Sequence, residues 1–155
     1  MNPLHIHLIA NHIPVLAAPL AACLLAYAAW KGCEELNRLA LLALALNGAI
    51  TLGVFLSGLG AEELSAELVG SAEALIEPHE RWAQASLAGA ISLGLIAAWL
   101  LKAFRRPTPL PPRALLMVFL AAIGLGLALA RTAYLGGRIH HHEIQPDWKH
   151  FRNAL

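Results

Sequence analysis

The chain has 155 residues, of which 58% are hydrophobic and only 14% are charged, and its formal net charge is +1. Soluble domains usually carry about 25% charged residues. The composition therefore excludes an ordinary soluble protein, and the near-neutral charge gives no support for a nucleic-acid partner. Four apolar runs, at residues 13–30, 39–59, 82–101 and 114–135, each approach the roughly 20 residues that cross a bilayer. The sequence predicts one all-α domain over residues 1–155, an integral membrane four-helix bundle.

The first span begins at "NHIP", which has the pattern of a helix start. Asn11 is predicted to cap the helix, and Pro14 suits a first turn, where its missing N–H costs nothing. His12 then lies at the membrane boundary. No Lys or Arg precedes this run, so it is interpreted as a retained span and not as a secretory signal. Cys23 and Cys33 lie about 15 Å apart along a helix, too far for a disulfide, and the chain has no CxxCH motif for covalent haem.

The second span carries a short polar face, and an amphipathic segment follows it. Asn47 and Thr51 are four residues apart, so their side chains are expected to point towards another helix. The segment "EELSAELVGSAEALI" places leucine and isoleucine at helical spacing, with glutamates on the other face. This pattern predicts a short amphipathic helix on the outer surface, between spans 2 and 3.

The third span begins at "EPHERW", with Pro78 in an early helical position and His79 in the first turn. A helix N-terminus disfavours the imidazolium cation, and neutral imidazole is the form that binds metal. His12 and His79 are therefore predicted to lie at similar depth on neighbouring helices. Small residues four apart in this span predict close helix packing; they are Ala85, Gly89, Ala90, Gly94 and Ala98.

The charges of the loops predict the orientation. The third loop is basic and contains no acid, whereas the second loop contains six glutamates and ends at a single arginine. Because basic short loops lie on the cytoplasmic side, both termini are expected on the outer, periplasmic side of a bacterial cytoplasmic membrane. All eight histidines then lie on that outer side. This arrangement suits one haem near the outer face, or two crowded there, but it does not carry electrons across the membrane.

The fourth span contains an arginine, Arg131, inside the membrane-spanning stretch. It shares a helix face with Tyr134 and Arg138 if the helix continues through the two glycines that follow Leu135. Two interpretations stay open. Arg131 is either a side chain that snorkels to the interface, or a cation aimed at a carboxylate. That carboxylate would belong to an outer-loop glutamate or to a haem propionate.

The segment "GGRIHHHEI" follows the fourth span and is interpreted as native, because it is not terminal and "QPDWKHFRNAL" follows it. Gly136 and Gly137 are predicted to end the helix, since glycine adopts the left-handed conformation that closes helices. The reversal would carry His141 and Glu143 over the outer end of the bundle, near His12.

Three stretches resemble an uncharacterised family of small bacterial four-span membrane proteins: "NHIPVLAAPLAACLLAYA", "SAEALIEPHERWAQASL" and "AYLGGRIHHHEI". The family pattern is an H-[FI]-P helix start, a histidine at the third span and a terminal GG-x-[IL]-x-H-x-E. The resemblance covers nearly the full length and carries over His12, His79, His141 and Glu143. His140 and His142 depart from the pattern.

Three functions remain open. The first is a b-type cytochrome subunit that exchanges electrons with a redox protein or quinone. Two of its histidines would ligate the haem, chosen from His12, His79 and His141. Arg131 and Arg138 would hold the haem propionates. The second is a non-haem site for a divalent transition metal, using His79, His141 and Glu143. The third is a cofactor-free anchor or assembly subunit, in a homo-oligomer or larger complex. No hydrolase motif is present.

Overall fold

The computed structural model describes the backbone of residues 3–68 and 73–140, and the side chains of residues 7–59 and 76–139. Within these ranges the chain forms five α-helices and no strand: α1 (Pro3–Ala10), α2 (His12–Lys31), α3 (Glu34–Leu68), α4 (Glu73–Ala103) and α5 (Pro112–His140). Four stretches are long and apolar enough to cross a membrane; they are His7–Lys31, Glu34–Leu59, Ile76–Ala103 and Pro112–Ile139. Each contains one predicted span, so the chain is a multi-pass membrane protein.

The four long helices form a closed ring. α2 packs against α3, α3 against α4, α4 against α5, and α5 against α2, while α1 lies against α3. This arrangement confirms the all-α four-helix bundle. One end of the bundle carries α1, the start of α4 and the end of α5, and we name it the histidine end because His7, His12 and His79 lie there. The other end carries the α2–α3 and α4–α5 connections, and we name it the basic end.

The core is built from alanine and leucine, which lets the helices approach closely. Ala18, Ala22 and Leu25 of α2 are almost completely buried. The closest approach joins α3 to α4, because a methyl group at Gly48 would lie 2.8 Å from the backbone oxygen of Ala90 and 3.4 Å from the Cα of Gly94. The prediction of close packing is therefore confirmed at Ala90 and Gly94. Its other three positions, Ala85, Gly89 and Ala98, are exposed.

The expected surface helix between the second and third spans is replaced by longer span helices. α3 continues to Leu68 and α4 already begins at Glu73, while residues 69–72 lie outside the described ranges. Alanine, leucine and glutamate are strong helix formers. The composition that favours a surface helix therefore extends the neighbouring spans equally well.

The predicted cap at the start of the first span is wrong. Asn11 has helical backbone angles (φ −62°, ψ −23°) and its side chain makes no capping hydrogen bond. Its backbone N–H instead donates to the carbonyl of His7 at 3.0 Å. Because α1 supplies helical carbonyls ahead of α2, the start of α2 needs no side-chain acceptor.

The prediction that Gly136 and Gly137 end the last helix is also wrong. α5 runs through both residues to His140, and within the described residues only Gly32 has a positive φ. Gly32 (φ 64°) closes α2, and its N–H donates to the carbonyl of Ala28. At Gly136 the missing side chain serves a packing contact instead of a reversal. His141 and Glu143, which the reversal was to place, lie outside the described residues.

The basic end is held closed by one arginine. The Arg38 guanidinium donates at 2.8 Å each to the Glu34 carboxylate and to the backbone oxygens of Phe104 and Thr108. The Glu34 carboxylate also accepts from the N–H of Leu110 at 3.1 Å. These bonds tie the α4–α5 connection to the start of α3. An exposed ion pair joins the same two regions, through Arg106 and Glu35.

Candidate functional site

A cavity of about 340 Å³ opens inside the histidine end, between the four long helices. Hydrophobic side chains form much of its wall, including Val15, Phe55, Ile76, Leu129 and Ile139. A smaller set of polar side chains also faces it: His7, Asn11, His12, Thr51, His79, Glu80, Gln84, Ser86 and Thr132. A mostly apolar cavity with a few convergent polar groups is the usual form of a cofactor or small-molecule site.

His7, on α1, is held by the backbone of α3. Its Nδ1 lies 3.1 Å from the carbonyl oxygen of Val54 and 3.2 Å from Oγ of Ser57. The Ser57 hydroxyl itself donates to the Val54 oxygen at 2.7 Å. A carbonyl oxygen only accepts, so the Val54 contact places the imidazole proton on Nδ1. The neutral ring then carries its metal-binding lone pair on Nε2.

His79, on α4, is held in the same way by the backbone of α5. Its Nδ1 donates to the carbonyl oxygen of Thr132 at 3.0 Å, which selects the same tautomer as in His7. The Thr132 hydroxyl donates to the carbonyl of Ala128 at 3.0 Å and also contacts the Ser86 hydroxyl at 3.0 Å. Because Ser86 and His79 both lie on α4, α4 and α5 are joined at two levels beside the cavity.

Each histidine ring also rests on a glycine of the neighbouring helix. A methyl group at Gly58 would lie 3.0 Å from Cε1 of His7, and one at Gly136 would lie 2.9 Å from Cε1 of His79. Any larger residue at either position would therefore push the ring away. Each glycine comes four residues, about one helical turn, after the residue whose carbonyl accepts from that histidine.

The two halves of the chain thus build equivalent histidine positions. In the first half the ring lies against α3, and in the second half it lies against α5. α3 and α5 stand diagonally across the ring of helices, since each of them packs against α2 and α4. The imidazoles of His7 and His79 therefore line the cavity beside two helices, α3 and α5, that do not neighbour each other in the ring.

The sequence predicted His12 and His79 as the facing pair, and both line the cavity. His12 is exposed, and its Nδ1 bonds at 3.0 Å to the carbonyl oxygen of Leu8, four residues earlier at the end of α1. This contact is local in sequence, unlike those of His7 and His79. His7 is one of the eight histidines predicted on the outer side, but the sequence did not single it out as a ligand. Its contacts with Val54 and Gly58 are tertiary, so no local sequence signal distinguishes it.

The arginines predicted to hold propionates lie on another face of α5. Arg131, Tyr134 and Arg138 do not line the cavity, whereas Thr132, Gly136 and Ile139 do. Arg131 and Tyr134 are exposed, and Arg138 is half-buried. The three residues do share a face, because α5 continues through the glycine pair.

The non-haem metal site was predicted with residues that are only partly described. His79 lines the cavity, but His141 and Glu143 lie outside the described residues. Among the side chains of residues 7–59 and 76–139, no group of three histidine, cysteine, aspartate or glutamate side chains converges to hold a metal ion. Of the acids beside His79, Glu77 pairs with Arg81 at 2.6 Å and Glu80 lines the cavity.

No family model, no curated protein and no solved structure matches this chain.

Proposed function

We propose that the cavity binds one b-type haem with His7 and His79 as its two axial ligands, and that the protein is an electron carrier. The observation that carries the proposal is the matched pair of imidazoles. Both rings are anchored through Nδ1 to a backbone carbonyl, both rest on a glycine, and they lie against α3 and α5, which stand diagonally across the bundle. Axial imidazoles on facing helices are the usual way in which a four-helix bundle holds haem.

The two imidazoles described beside the cavity are a donor set that suits a haem. A bare transition-metal ion needs three or four protein ligands, and the described side chains offer no group of three. A haem brings its own four equatorial nitrogens, so two opposed neutral imidazoles are sufficient. The volume of the cavity and its mostly apolar wall also fall within the range of cofactor sites.

The protein's own groups would fix both ligands before the cofactor enters. The carbonyls of Val54 and Thr132 hold the proton on Nδ1 and so set the tautomer and the plane of each ring, as the outer partners of metal-binding histidines commonly do. Gly58 and Gly136 allow the rings to lie close to α3 and α5. A haem held by His7 and His79 would supply one-electron chemistry.

We further propose that the histidine end faces the outer side of a bacterial cytoplasmic membrane. This orientation follows from the basic residues of the α4–α5 connection, since short basic loops stay on the cytoplasmic side. Electrons would then enter and leave at one membrane face, exchanged with a redox protein or a quinone. Single cysteines at Thr108 and Ser65 test the orientation. An impermeant thiol reagent added to intact cells should label position 65 and not 108, and the reverse pattern would invert the topology.

Haem content after histidine replacement tests the ligand assignment. The wild-type chain, His7→Ala, His79→Ala and His12→Ala would be expressed in a haem-replete host and purified in mild detergent. We expect about one haem per chain in the wild type and in His12→Ala, and a loss of at least about tenfold in each of the other two, because one axial bond is removed. His12→Ala is the matched control, because its side chain lines the same cavity.

The same preparations identify the alternatives. A colourless wild-type protein with stoichiometric transition metal would replace haem with the non-haem site. A colourless and metal-free protein would indicate a cofactor-free anchor subunit. Loss of haem from His12→Ala with full retention in His7→Ala would return the ligand to His12.

A further inference from the structure

We propose that the basic end of the bundle is a binding surface for the headgroups of anionic phospholipids, centred on the α4–α5 connection. Lys102, Arg105 and Arg113 supply its positive charge, and Trp99 lies beside them at the membrane boundary. The surface is at the opposite end of the bundle from the cavity, so it stands whether or not haem is bound there.

The basic end carries an excess of positive charge, and its charges can be counted because the side chains of residues 26–40 and 98–116 are all described. Its two acidic residues, Glu34 and Glu35, are both paired, the first with Arg38 and the second with Arg106. The cations that remain without a carboxylate partner among these residues are Lys31, Lys102, Arg105 and Arg113.

The other acidic residues of the chain belong to the opposite end, since they lie at positions 62–80, 143 and 147. Positions 62–68 are at the far end of α3, and on α4 the acid nearest to Lys102 is Glu80, about 33 Å away along the helix. Glu143 and Asp147 follow the last residue of α5. Because seven extended residues span at most about 25 Å and α5 is about 43 Å long, this stretch of chain is too short to return to the basic end. The excess of cations is therefore local to that end.

The α4–α5 connection holds Arg105 in a fixed, outward position. Arg38 donates at 2.8 Å to the backbone oxygens of Phe104 and Thr108, which lie on either side of Arg105. The N–H of Thr108 donates to the carbonyl oxygen of Arg105 at 2.9 Å. The Arg105 side chain is exposed, and among the described residues it takes part in no ion pair. Because its backbone is already ordered, Arg105 loses less conformational freedom when it binds an anion.

Two tryptophans place this surface at a membrane boundary. Trp99, near the end of α4, is 61% exposed, and Trp30, near the end of α2, is 74% exposed. α2 and α4 stand diagonally in the ring, since each packs against α3 and α5, and tryptophan is enriched at the level of lipid headgroups. A lysine follows each tryptophan within one turn, so Lys31 and Lys102 lie at headgroup level. The ammonium of Lys31 already lies over the Trp30 ring, 4.1 Å from its centroid, which leaves the cations of the α4–α5 connection as the centre of the surface.

An anionic phospholipid is the partner that suits unpaired cations at this level. Basic residues just outside a membrane span attract anionic headgroups, and guanidinium groups bind phosphate oxygens through paired, charge-assisted hydrogen bonds. A zwitterionic headgroup also contains a phosphate, but its own ammonium group opposes the attraction to an excess of cations. The surface should therefore prefer lipids with a net negative charge.

Lipid retention by the full-length chain tests the proposal. The protein would be placed in nanodiscs of phosphatidylglycerol and zwitterionic phosphatidylethanolamine, released into mild detergent, and its retained lipids counted by native mass spectrometry. We expect the wild type to retain phosphatidylglycerol preferentially, and added salt to weaken that preference because it screens surface charges. Arg105→Gln and Lys102→Gln should each lower phosphatidylglycerol retention about fivefold, the effect of removing one cation near an anionic membrane surface. Arg81→Gln is the matched control, since it removes the same charge from an exposed arginine at the other end of α4, and it should leave retention unchanged.

Three outcomes would overturn the proposal. The first is equal retention of the two lipids by the wild type, which requires no variant to fold. The second is an equal loss in Arg105→Gln and Arg81→Gln, which would indicate the overall charge of the protein and not this surface. The third is binding of inorganic phosphate that Arg105→Gln abolishes, without a preference for phosphatidylglycerol, which would make the site one for a free anion. If Arg105→Gln fails to fold, Lys102→Gln is compared with Arg81→Gln in the same way.

Discussion

The two ends of the bundle are built in opposite ways. At the basic end the helices close on side chains that are 0–1% exposed, such as Ala40, Leu41, Leu44 and Ala97, and Arg38 ties the connection to the start of α3. At the histidine end the same helices enclose a cavity of about 340 Å³. The side chains facing it include imidazoles and hydroxyls that bond to helix carbonyls.

The difference shows how a small membrane protein separates stability from a binding site. Close packing of alanine and leucine and a clasp of charge-assisted hydrogen bonds hold one end rigid. The other end then keeps an open cavity without losing the helix order. The imidazoles of His7 and His79 bond to backbone carbonyls of neighbouring helices, which satisfies them in a low-dielectric surrounding. Changes at the basic end should therefore affect stability, and changes at the histidine end should affect cofactor binding.

Replacing Arg38, whose hydrogen bonds form the clasp at the basic end, should have the largest effect on the free energy of unfolding. Arg38→Gln removes the guanidinium that bonds to Glu34, Phe104 and Thr108, and it leaves the partly buried acceptors on Glu34 and Phe104 without this donor. We expect a loss of about 3 kcal/mol in the free energy of unfolding, measured by thermal denaturation in detergent. Arg106→Gln removes an exposed ion pair at the same end and should cost less than about 1 kcal/mol. Equal losses in both variants would show that the clasp has no special role.

Replacing Gly58 or Gly136 with alanine should lower the affinity for the cofactor and leave the stability of the bundle unchanged. A methyl group at Gly136 or Gly58 would displace the ring of His79 or His7 and weaken its bond to the helix carbonyl. We expect Gly136→Ala and Gly58→Ala to lower haem affinity about tenfold, the order of effect seen when an outer partner of a metal ligand is disturbed.

Gly124 and Gly53 provide the matched controls for that experiment, because a methyl group there would meet nothing within 4 Å. Alanine in a helix is also favoured over glycine by up to about 1 kcal/mol, so all four variants should keep their thermal stability. A fall in haem affinity in the controls, or none in Gly136→Ala, would contradict the role of the glycine contacts.

The smallest effect on the free energy of unfolding should come from buried polar residues midway along the bundle, Asn47 and Ser86. Asn47 is 1% exposed, and neither its side-chain nitrogen nor its oxygen has a hydrogen-bond partner among the described residues. Asn47→Leu should raise the free energy of unfolding by about 1 kcal/mol, because an unsatisfied buried amide is removed. Ser86→Ala, which loses a bond to Thr132, should lower it by a similar amount. A destabilised Asn47→Leu would show that the amide has a partner in solution.

The fold was predictable because its signals are local. The four apolar runs mark the spans, and the small residues Ala90 and Gly94 mark the contact between α3 and α4. The helix ends were less predictable. Glycine at Gly32 closes a helix, whereas glycine at Gly136 makes room for an imidazole, and the two uses look alike in a sequence. Asn11 likewise has the residue type of a cap but lies between two helices, because α1 precedes it.

The site was predictable only in part. Histidine enrichment at one end indicated where a cofactor would bind, and His79 lines the cavity. His7 and His79 are equivalent because each ring contacts a carbonyl and a glycine that lie 47 to 57 residues later in the chain. A local sequence pattern does not predict contacts over such separations. The arginines of α5 share a helix face with Tyr134, as their spacing predicts, but they do not line the cavity, because packing between helices decides which face of α5 turns towards it.

The axial ligation state of the purified protein tests most directly whether His7 and His79 ligate a haem. Visible and electron paramagnetic resonance spectra of the full-length chain would be recorded oxidised, reduced, and reduced under carbon monoxide, alongside His7→Ala and His79→Ala. We expect a low-spin, six-coordinate haem with sharp α-bands on reduction, no reaction with carbon monoxide in the wild type, and loss of that spectrum in both variants. A wild-type protein that stays colourless after expression in a haem-replete host, or an unchanged spectrum in either variant, would contradict it.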